Sequence, residues 1–502
     1  MKIKAAAFNS ITNIINLSFN ILTGLILVPI YFRYFDLSTY GAWLASGNII
    51  MLLTTMESGL SLVLTQNLSK LFHKEDEKFI GMLNSGIIIY SIISILILIT
   101  GISVLPYIPD IVKVSPLEKE SLMLGITFSL LATVSNLLVI PFQAISQVYQ
   151  KTSMPGLFNV IGLILATTTV LLCLSFGYSV ASIGISYFVR ALALLITNFL
   201  YSLYLLNSIK HREFYFDWSN IVYLLKEITL PFFSTLSQKI AGNTQNLIIA
   251  YFISPTFTAI YDITSKVTLM LRSFLNILSY STFTGFALTF AEGDENKTSD
   301  AISRFLFIYS LVMVFVYSFS YIFTPIIIKY WVGISNFGGY TLLILIILSA
   351  IVSDFLSLLN MFIWSVGKYQ KGSVFDIVNV TLYLMLMGIF ISHFGYIGVP
   401  LASFITGLVS LILIQINILT KINLKINTLY KPFMMPFVLG IILSFCLTIA
   451  MPEFKDISML SSFVYLISFI VSLMIMFYLV SRKHIIILFN TLKIIASKSS
   501  PI

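Results

Sequence analysis

Five ionisable side chains lie well inside long apolar runs of this sequence. Three are cations and two are carboxylates: Arg190, Lys239, Arg272, Glu57 and Asp354. A charge near the centre of a lipid bilayer costs about 2.5–3.5 kcal/mol on insertion scales, so such residues usually face a cavity or a partner. The excess of cations predicts a cavity that attracts an anionic ligand.

Lys239 has the clearest polar surroundings of the three cations. Thr235, Lys239, Gly242 and Asn246 follow 4-3-4 spacing, which places them on one face of a helix. That face is too polar for lipid. It predicts either a cavity wall with a fixed cation, to which Asn246 adds a polar contact, or a buried ion pair between helices.

The remaining cations are further candidates for binding the same anion. Arg272 lies about 12 Å, by helical rise, from the outer end of its apolar run. Lys266 follows Asp262 at i,i+4 spacing, so a local ion pair is its alternative role. Arg33 ends the first apolar run and has the same two possible roles, an anion contact or a local ion pair. Arg190 has no clear polar face around it.

The two carboxylates and two rows of amides complete the polar set. Glu57 and Asp354 are candidates for ion coupling, because a carboxylate in a low-dielectric site can carry a proton; the alternative is a counter-ion role. The amide rows either bind sugar hydroxyls or join helices. They are Asn9, Asn13, Asn16 and Asn20, and Gln143, Gln147 and Gln150.

The composition requires a membrane around these residues. Of 502 residues, 58% are hydrophobic and 10% are charged, and the mean hydropathy is +0.98. Soluble domains carry about 25% charged residues, so a soluble enzyme is excluded, and a nucleic-acid binder would need far more charge. The 2 cysteines and 4 histidines lack the spacing of a disulfide framework or metal site. We therefore expect no metal, no cofactor and no nucleic-acid partner.

The apolar runs predict an all-α polytopic membrane protein with fourteen transmembrane helices, since each span needs about 20 mostly apolar residues. The predicted spans are 11–32, 42–66, 80–105, 122–147, 155–176, 180–206, 228–253, 264–290, 303–328, 338–366, 373–392, 397–419, 433–450 and 459–480. With a cytoplasmic N-terminus, 20 of the 29 Lys and Arg residues fall in cytoplasmic segments and six in external ones. This is the positive-inside bias, and it predicts that both termini are cytoplasmic.

The two halves of the chain match at an offset of about 218 residues, which is the mark of an internal repeat. Phe176–Tyr178 recurs as Phe394–Tyr396, and Gln150–Lys151 recurs as Gln370–Lys371. An even number of spans separates the halves, so we expect two parallel six-helix bundles and two additional helices. The predicted domains are the bundles over 1–210 and 224–420, the two C-terminal helices over 432–481, and a cytoplasmic basic tail over 482–502.

The chain resembles bacterial polysaccharide flippases of the Wzx type, in the multidrug/oligosaccharidyl-lipid/polysaccharide (MOP) exporter superfamily. The resemblance is loose and follows the whole chain in span order. It rests on the segments 27–29, 40–43, 57–60, 246–250, 261–262 with Lys266, and 395–398. The family usually has an acidic-Gly-Leu run where this chain has Glu57-Ser58-Gly59, one residue longer.

The resemblance implies transport of an undecaprenyl-pyrophosphate-linked oligosaccharide, an O-antigen or capsule repeat unit. Transport would run from the cytoplasmic to the periplasmic leaflet of the bacterial inner membrane, by alternating access coupled to an ion gradient. Lys239 and Arg272 would hold the pyrophosphate and the amide rows the sugar. Membrane lipids and the polysaccharide polymerase machinery are the implied partners.

Three alternatives stay open at the level of sequence. A multidrug exporter of the same superfamily normally has twelve spans and a carboxylate-rich cavity. A lipid II flippase differs in the sugar that it carries, which sequence does not fix. A membrane enzyme of polysaccharide assembly would need a long external loop or domain, and the chain lacks phosphate-loop, nucleophile-elbow and zinc-protease motifs. We therefore expect a transporter and no enzyme.

Overall fold

The computed structural model describes residues 2–72, 76–207, 217–291, 295–365 and 369–422, with a few further positions between 434 and 471. Within these ranges the chain is helical and contains no strand. The predicted spans 433–450 and 459–480 lie outside the described residues except for those few positions. The predicted tail over 482–502 lies wholly outside them.

The helices follow one another with short connections. They are α1 (Lys2–Tyr31), α2 (Leu37–Leu53), α3 (Leu60–Leu71), α4 (Asp76–Val104), α5 (Ile108–Ile111), α6 (Lys119–Val148), α7 (Ser153–Ser175), α8 (Ala181–Leu206), α9 (Trp218–Glu227), α10 (Thr229–Asn243), α11 (Gln245–Phe252), α12 (Pro255–Ala291), α13 (Glu295–Trp331), α14 (Tyr340–Ser365), α15 (Tyr369–Phe394) and α16 (Gly398–Ile422). Short 3-10 turns lie at Thr54–Glu57, Leu105–Tyr107, Ile334–Asn336 and Gly395–Ile397.

Eight helical segments of the described chain are long and apolar enough to cross a membrane. They are Leu37–Leu71, Asp76–Ile111, Lys119–Val148, Ser153–Ser175, Ala181–Leu206, Lys297–Trp331, Tyr340–Ile363 and Ile377–Ile414. The protein is therefore an all-α, multi-pass membrane protein, as the composition predicted. The count of fourteen spans stays a prediction.

The chain divides into two compact units, which we describe separately. Unit 1 contains Met1–Asp262 and Gln370–Thr406, and unit 2 contains Ile263–Tyr369 and Gly407–Ile502. The six-plus-six division and the domain limits predicted from the repeat stay predictions.

In unit 1, glycines let helices approach at backbone distance. A Cβ on Gly184 of α8 would lie 1.9 Å from the carbonyl oxygen of Gly125 in α6. A Cβ on Gly41 of α2 would lie 1.7 Å from the carbonyl oxygen of Pro255, the first residue of α12. Small residues at such crossings are the usual basis of helix association in lipid, where apolar burial gives no advantage.

One end of unit 1 has a conventional apolar core. It joins α3, α4, α6 and the short α9, and its fully buried members include Leu64, Leu68, Tyr90 and Ile145. The helix α9 begins at the N-cap Asp217, whose side chain accepts a hydrogen bond from the Ser219 backbone N–H at 2.8 Å. This core fixes the faces that α3 and α6 turn towards each other.

In unit 2, α13 and α14 form a largely buried pair of apolar helices. Phe469 is 1% exposed and packs against a row of aromatic rings on α13, with ring centroids 5.9 Å from Phe315, 6.1 Å from Phe319 and 5.7 Å from Phe323. A residue of the last predicted span therefore belongs to the core of this unit.

The Gly125–Gly184 crossing predicts the effect of a single methyl group. Gly184→Ala forces α6 and α8 apart, so we expect a cost of about 1–3 kcal/mol and a lower unfolding temperature in detergent. Gly47→Ala in α2 is the matched control, because nothing lies within 4 Å of its added Cβ. Equal unfolding temperatures for the two variants would contradict this packing.

Candidate functional site

The span Leu37–Leu71 is broken in the middle, between α2 and α3. The hydroxyl of Thr54 donates to the Met51 carbonyl at 2.7 Å, and that of Thr55 to the Leu52 carbonyl at 2.6 Å. Such local bonds compete with the helix ladder. Gly59 then takes φ +84°, a left-handed conformation that suits glycine. The break leaves the carbonyls at the end of α2 in need of donors.

Lys239 of α10 supplies a donor at this break. Its Nζ donates to the Thr54 carbonyl oxygen at 3.0 Å and to Glu57 Oε2 at 3.1 Å. A cation at a helix C-terminus also offsets the partial negative charge of the helix dipole. The Lys239 side chain is 32% exposed and that of Glu57 is 12% exposed, so the ion pair is mostly sheltered.

Tyr90 of α4 completes the surroundings of Glu57. Its hydroxyl donates to Glu57 Oε1 at 3.2 Å, and its side chain is fully buried. The two oxygens of Glu57 therefore have separate partners, a tyrosine and a lysine. We call Lys239, Glu57 and Tyr90 the unit 1 triad.

A pocket of about 680 Å³ opens beside the unit 1 triad, entirely within unit 1. Glu57 and the exposed Lys70 both belong to its lining, and the part of α3 that lines it runs from Ser61 to Lys70, about 14 Å by helical rise. Six of the ten lining residues carry a hydroxyl or an amide. The lining residues are Glu57, Ser61, Leu62, Thr65, Gln66, Ser69, Lys70, Ile140, Gln143 and Gln147.

The pocket wall follows from helix periodicity. Ser61, Thr65 and Ser69 of α3 recur every four residues and share a face with Gln66 and Lys70. Opposite them α6 presents the amides predicted from sequence, Gln143 and Gln147, while Gln150 is not part of the lining. The Thr65 and Ser69 hydroxyls donate to backbone carbonyls one turn earlier, so they offer acceptors to a ligand. Glutamine amides both donate and accept hydrogen bonds, so together this wall can bind a ligand rich in hydroxyl groups.

The amides of α1 have a different role. The side chain of Asn16 donates to the Gly156 carbonyl of α7 at 3.0 Å, and that of Asn20 donates to the Asn16 carbonyl at 2.8 Å. The Asn16 amide therefore joins α1 to α7, and the Asn20 amide bonds within α1. Asn9 and Asn13 belong to α1, but their side chains lie outside the described residues.

Unit 2 contains a second set of the same composition. Asp354 of α14 accepts hydrogen bonds from the Arg272 guanidinium of α12 and the Tyr317 hydroxyl of α13, one at each carboxylate oxygen. The Asp354 side chain is 0% exposed and that of Arg272 is 24% exposed. We call these three residues the unit 2 triad. Lys239 and Arg272, predicted to act together, thus belong to different units.

The other predicted site residues have varied surroundings. Lys266 in α12 is half-buried, and Arg33 is exposed just beyond α1. Asn246 of α11 accepts a hydrogen bond from the Thr258 hydroxyl at its backbone carbonyl, at 3.3 Å. Arg190 of α8 is half-buried, and its Nε is buried without a hydrogen-bond partner among the described residues.

Sequence reasoning missed the tyrosines and the backbone break. Tyr90 and Tyr317 lie in apolar runs, where aromatic residues are common, so nothing in their spacing marked them as partners of a carboxylate. The Thr54-Thr55 pair followed by Gly59 is the signal that could have revealed the break. The described residues contain no group of three or more His, Cys, Asp and Glu side chains able to hold a metal.

Comparison with known proteins identifies the fold. No protein-family model and no curated protein matches the chain. A solved lipid II flippase MurJ, in an inward closed conformation, matches 95% of this chain and 99% of its own, with a TM-score of 0.71 and 17% identity. A multidrug resistance MATE family transporter of the MOP superfamily, in an inward-facing conformation, matches 84% of this chain and 99% of its own, with a TM-score of 0.66 and 15% identity.

A MATE transporter in an outward-facing conformation is also similar, over 83% of this chain and 96% of its own, with a TM-score of 0.59 and 15% identity. The chain therefore has the fold of the MOP-superfamily transporters. This is the fold that the sequence resemblance implied.

The unit 1 triad predicts strong coupling between two substitutions. Glu57→Gln and Lys239→Met each leave one sheltered charge without its partner, whereas the double variant removes both charges. We expect a coupling energy of about 1–3 kcal/mol, measured from unfolding free energies in detergent.

The control is the exposed pair Lys119 and Asp110, whose atoms are 3.5 Å apart and whose side chains are 45% and 77% exposed. The same cycle with Lys119→Met and Asp110→Asn should give about 0–1 kcal/mol. A coupling for Glu57 and Lys239 no larger than that of the control would show that the pair carries no special stability.

Proposed function

We propose that the protein moves an undecaprenyl-pyrophosphate-linked oligosaccharide from the cytoplasmic to the periplasmic leaflet of the bacterial inner membrane. The cargo is an O-antigen or capsule repeat unit, and the protein acts by alternating access without chemical conversion. Both termini face the cytoplasm. The polysaccharide polymerase machinery receives the product on the other side.

The pocket of unit 1 is the observation that carries this proposal. Its wall of Ser61, Thr65, Gln66, Gln143 and Gln147 matches the hydroxyl groups of a sugar. The fold likeness to a protein described as a lipid II flippase supports the same class of cargo, a sugar on a lipid carrier.

The charge of the pocket favours this cargo over a cationic drug. Glu57 is the carboxylate in the lining, and Lys239 already neutralises it at 3.1 Å. Lys70 adds a positive charge to the lining. A cationic drug would therefore find no net negative charge in this lining, whereas a neutral or anionic sugar meets no such obstacle.

The two triads are our candidates for coupling to an ion gradient. Protonation of Glu57 or Asp354 would cancel the attraction that holds its cation. The freed cation, Lys239 or Arg272, would then be able to bind the pyrophosphate. Proton entry and anion binding would thus favour each other, which is a coupling free energy in the thermodynamic sense.

Reconstitution into proteoliposomes tests the proposal directly. Vesicles would carry an undecaprenyl-pyrophosphate-linked oligosaccharide, with lipid II and a cationic dye as parallel cargoes. A membrane-impermeant sugar oxidant would report the exposed fraction of lipid-linked sugar. We expect faster sugar exposure with the protein than in empty vesicles, and no dye export. Dye export without sugar exposure would favour the multidrug alternative.

The pocket predicts the effect of removing its paired amides. The double variant Gln143→Leu, Gln147→Leu loses two sets of hydrogen bonds to the sugar, each worth about 0.5–1.5 kcal/mol, so the initial flipping rate should fall roughly tenfold. Asn207→Leu, at the exposed end of α8 and outside the pocket lining, is the matched control and should keep the wild-type rate. If the double variant flips its cargo at the wild-type rate, the pocket does not lie on the transport path.

A further inference from the structure

The lining of the unit 1 pocket contains a charge that no other side chain balances. Glu57 has both oxygens engaged, by Lys239 at 3.1 Å and by the Tyr90 hydroxyl at 3.2 Å. Lys70, the penultimate residue of α3, forms no ion pair or hydrogen bond through its side chain within the described part of the chain. A ligand in the pocket therefore meets one ammonium group that is free to bind an anion.

Three glutamines add free hydrogen-bonding groups to the same lining. The side chains of Gln66, Gln143 and Gln147 belong to it and make no hydrogen bond with the residues that the structure describes. Gln147 is the penultimate residue of α6, as Lys70 is of α3. An amide donates and accepts hydrogen bonds, whereas an ammonium only donates. These side chains can therefore contact both hydroxyl groups and carboxylate oxygens.

The hydroxyls of the lining distinguish a sugar from a diphosphate. Thr65 and Ser69 donate within α3 to the carbonyls of Ser61 and Thr65, each at 2.8 Å, so they offer lone pairs to a ligand. An ionised diphosphate has only acceptor oxygens and would leave these lone pairs without a donor. A sugar supplies O–H donors for them. The lining therefore suits a sugar, and Lys70 suits an anionic group on that sugar.

We infer that the pocket selects cargo with an acidic sugar, and that Lys70 binds the carboxylate of a hexuronic acid or of another carboxylated sugar. The inference rests on the proposed function and names the class of sugar at the same pocket. A hexuronic acid has a carboxylate where the neutral hexose has a hydroxymethyl group, and it keeps the ring hydroxyls for the glutamines. A hydrogen bond between charged groups is about twice as strong as a neutral one. Lys70 is thus a specificity-determining residue.

The exposure of Lys70 sets the size of the expected effect. Water competes for an exposed ammonium, so a single contact of this kind gives a modest gain. The pocket itself, at about 680 Å³, is within the range of about 300–1,000 Å³ that is typical of small-molecule sites. We therefore expect an acidic cargo to bind about three- to tenfold more tightly than its neutral counterpart.

Binding of a matched pair of cargoes to the purified full chain in nanodiscs tests the inference. The probes are two farnesyl-diphosphate-linked disaccharides, one ending in glucuronic acid and the other in glucose, in bilayers of phosphatidylcholine. The lipid and the diphosphate are the same in both probes, so the ratio of the two dissociation constants reports the carboxylate alone. The wild type should favour the acidic probe about three- to tenfold.

Variants of Lys70 assign this preference to a residue. Lys70→Met should abolish it by weakening the acidic probe and leaving the neutral probe unchanged. Lys70→Arg should keep the preference, and Lys70→Glu should reverse it, because like charges repel. Lys151→Met is the matched control: Lys151 is exposed, lies between α6 and α7 outside the pocket lining, and its loss should leave the ratio unchanged.

The matched pair also separates a sugar contact from other anion contacts. Equal weakening of both probes in Lys70→Met would overturn the inference, since Lys70 would then contact the diphosphate or the bilayer. A wild type without the preference, or a preference that survives Lys70→Met, would overturn it as well. If the Lys70-dependent preference holds but no cargo is flipped in proteoliposomes, the proposed function fails and the site stands. If the preference is absent and cargo is flipped, the site fails and the function stands.

Discussion

The cost of holding charge in a low-dielectric interior is the constraint on which this structure depends. Lys239 offsets this cost by donating to two acceptors, the Glu57 carboxylate at 3.1 Å and the Thr54 carbonyl at 3.0 Å. The second acceptor exists because the span Leu37–Leu71 breaks at that point and exposes the end of α2. One ammonium group thus neutralises a carboxylate and caps a broken helix. The break in turn sets the start of α3, whose polar face becomes one wall of the pocket.

The same solution recurs in the second unit with different residues. In each unit a carboxylate shares its two oxygens between a cation and a tyrosine hydroxyl: Lys239 and Tyr90 around Glu57, and Arg272 and Tyr317 around Asp354. Each carboxylate charge is thus balanced by one cation, and the phenol hydroxyl satisfies the other carboxylate oxygen.

The sequence predicted the class of fold and the polar residues, because both follow from composition and helical spacing. The rare charges inside apolar runs stood out because burying a charge in a bilayer is costly. The amides Gln143 and Gln147 stood out because their spacing places them on one helix face. The partners could not be predicted. Glu57 and Lys239 are separated by 182 positions, and which cation meets which carboxylate depends on packing between distant helices. The tyrosines were missed because an aromatic residue in an apolar run carries no polar signature.

The central claim is that Lys239 stabilises the break between α2 and α3, beside the pocket, through its bonds to Thr54 and Glu57. Backbone hydrogen exchange tests it most directly, since exchange reports local opening of hydrogen-bonded structure. In Lys239→Met the amides of residues 54–60 should exchange at least roughly tenfold faster than in the wild type, the equivalent of about 1.4 kcal/mol, while those of α7 should stay unchanged. Identical exchange at residues 54–60 in the two proteins would contradict the claim.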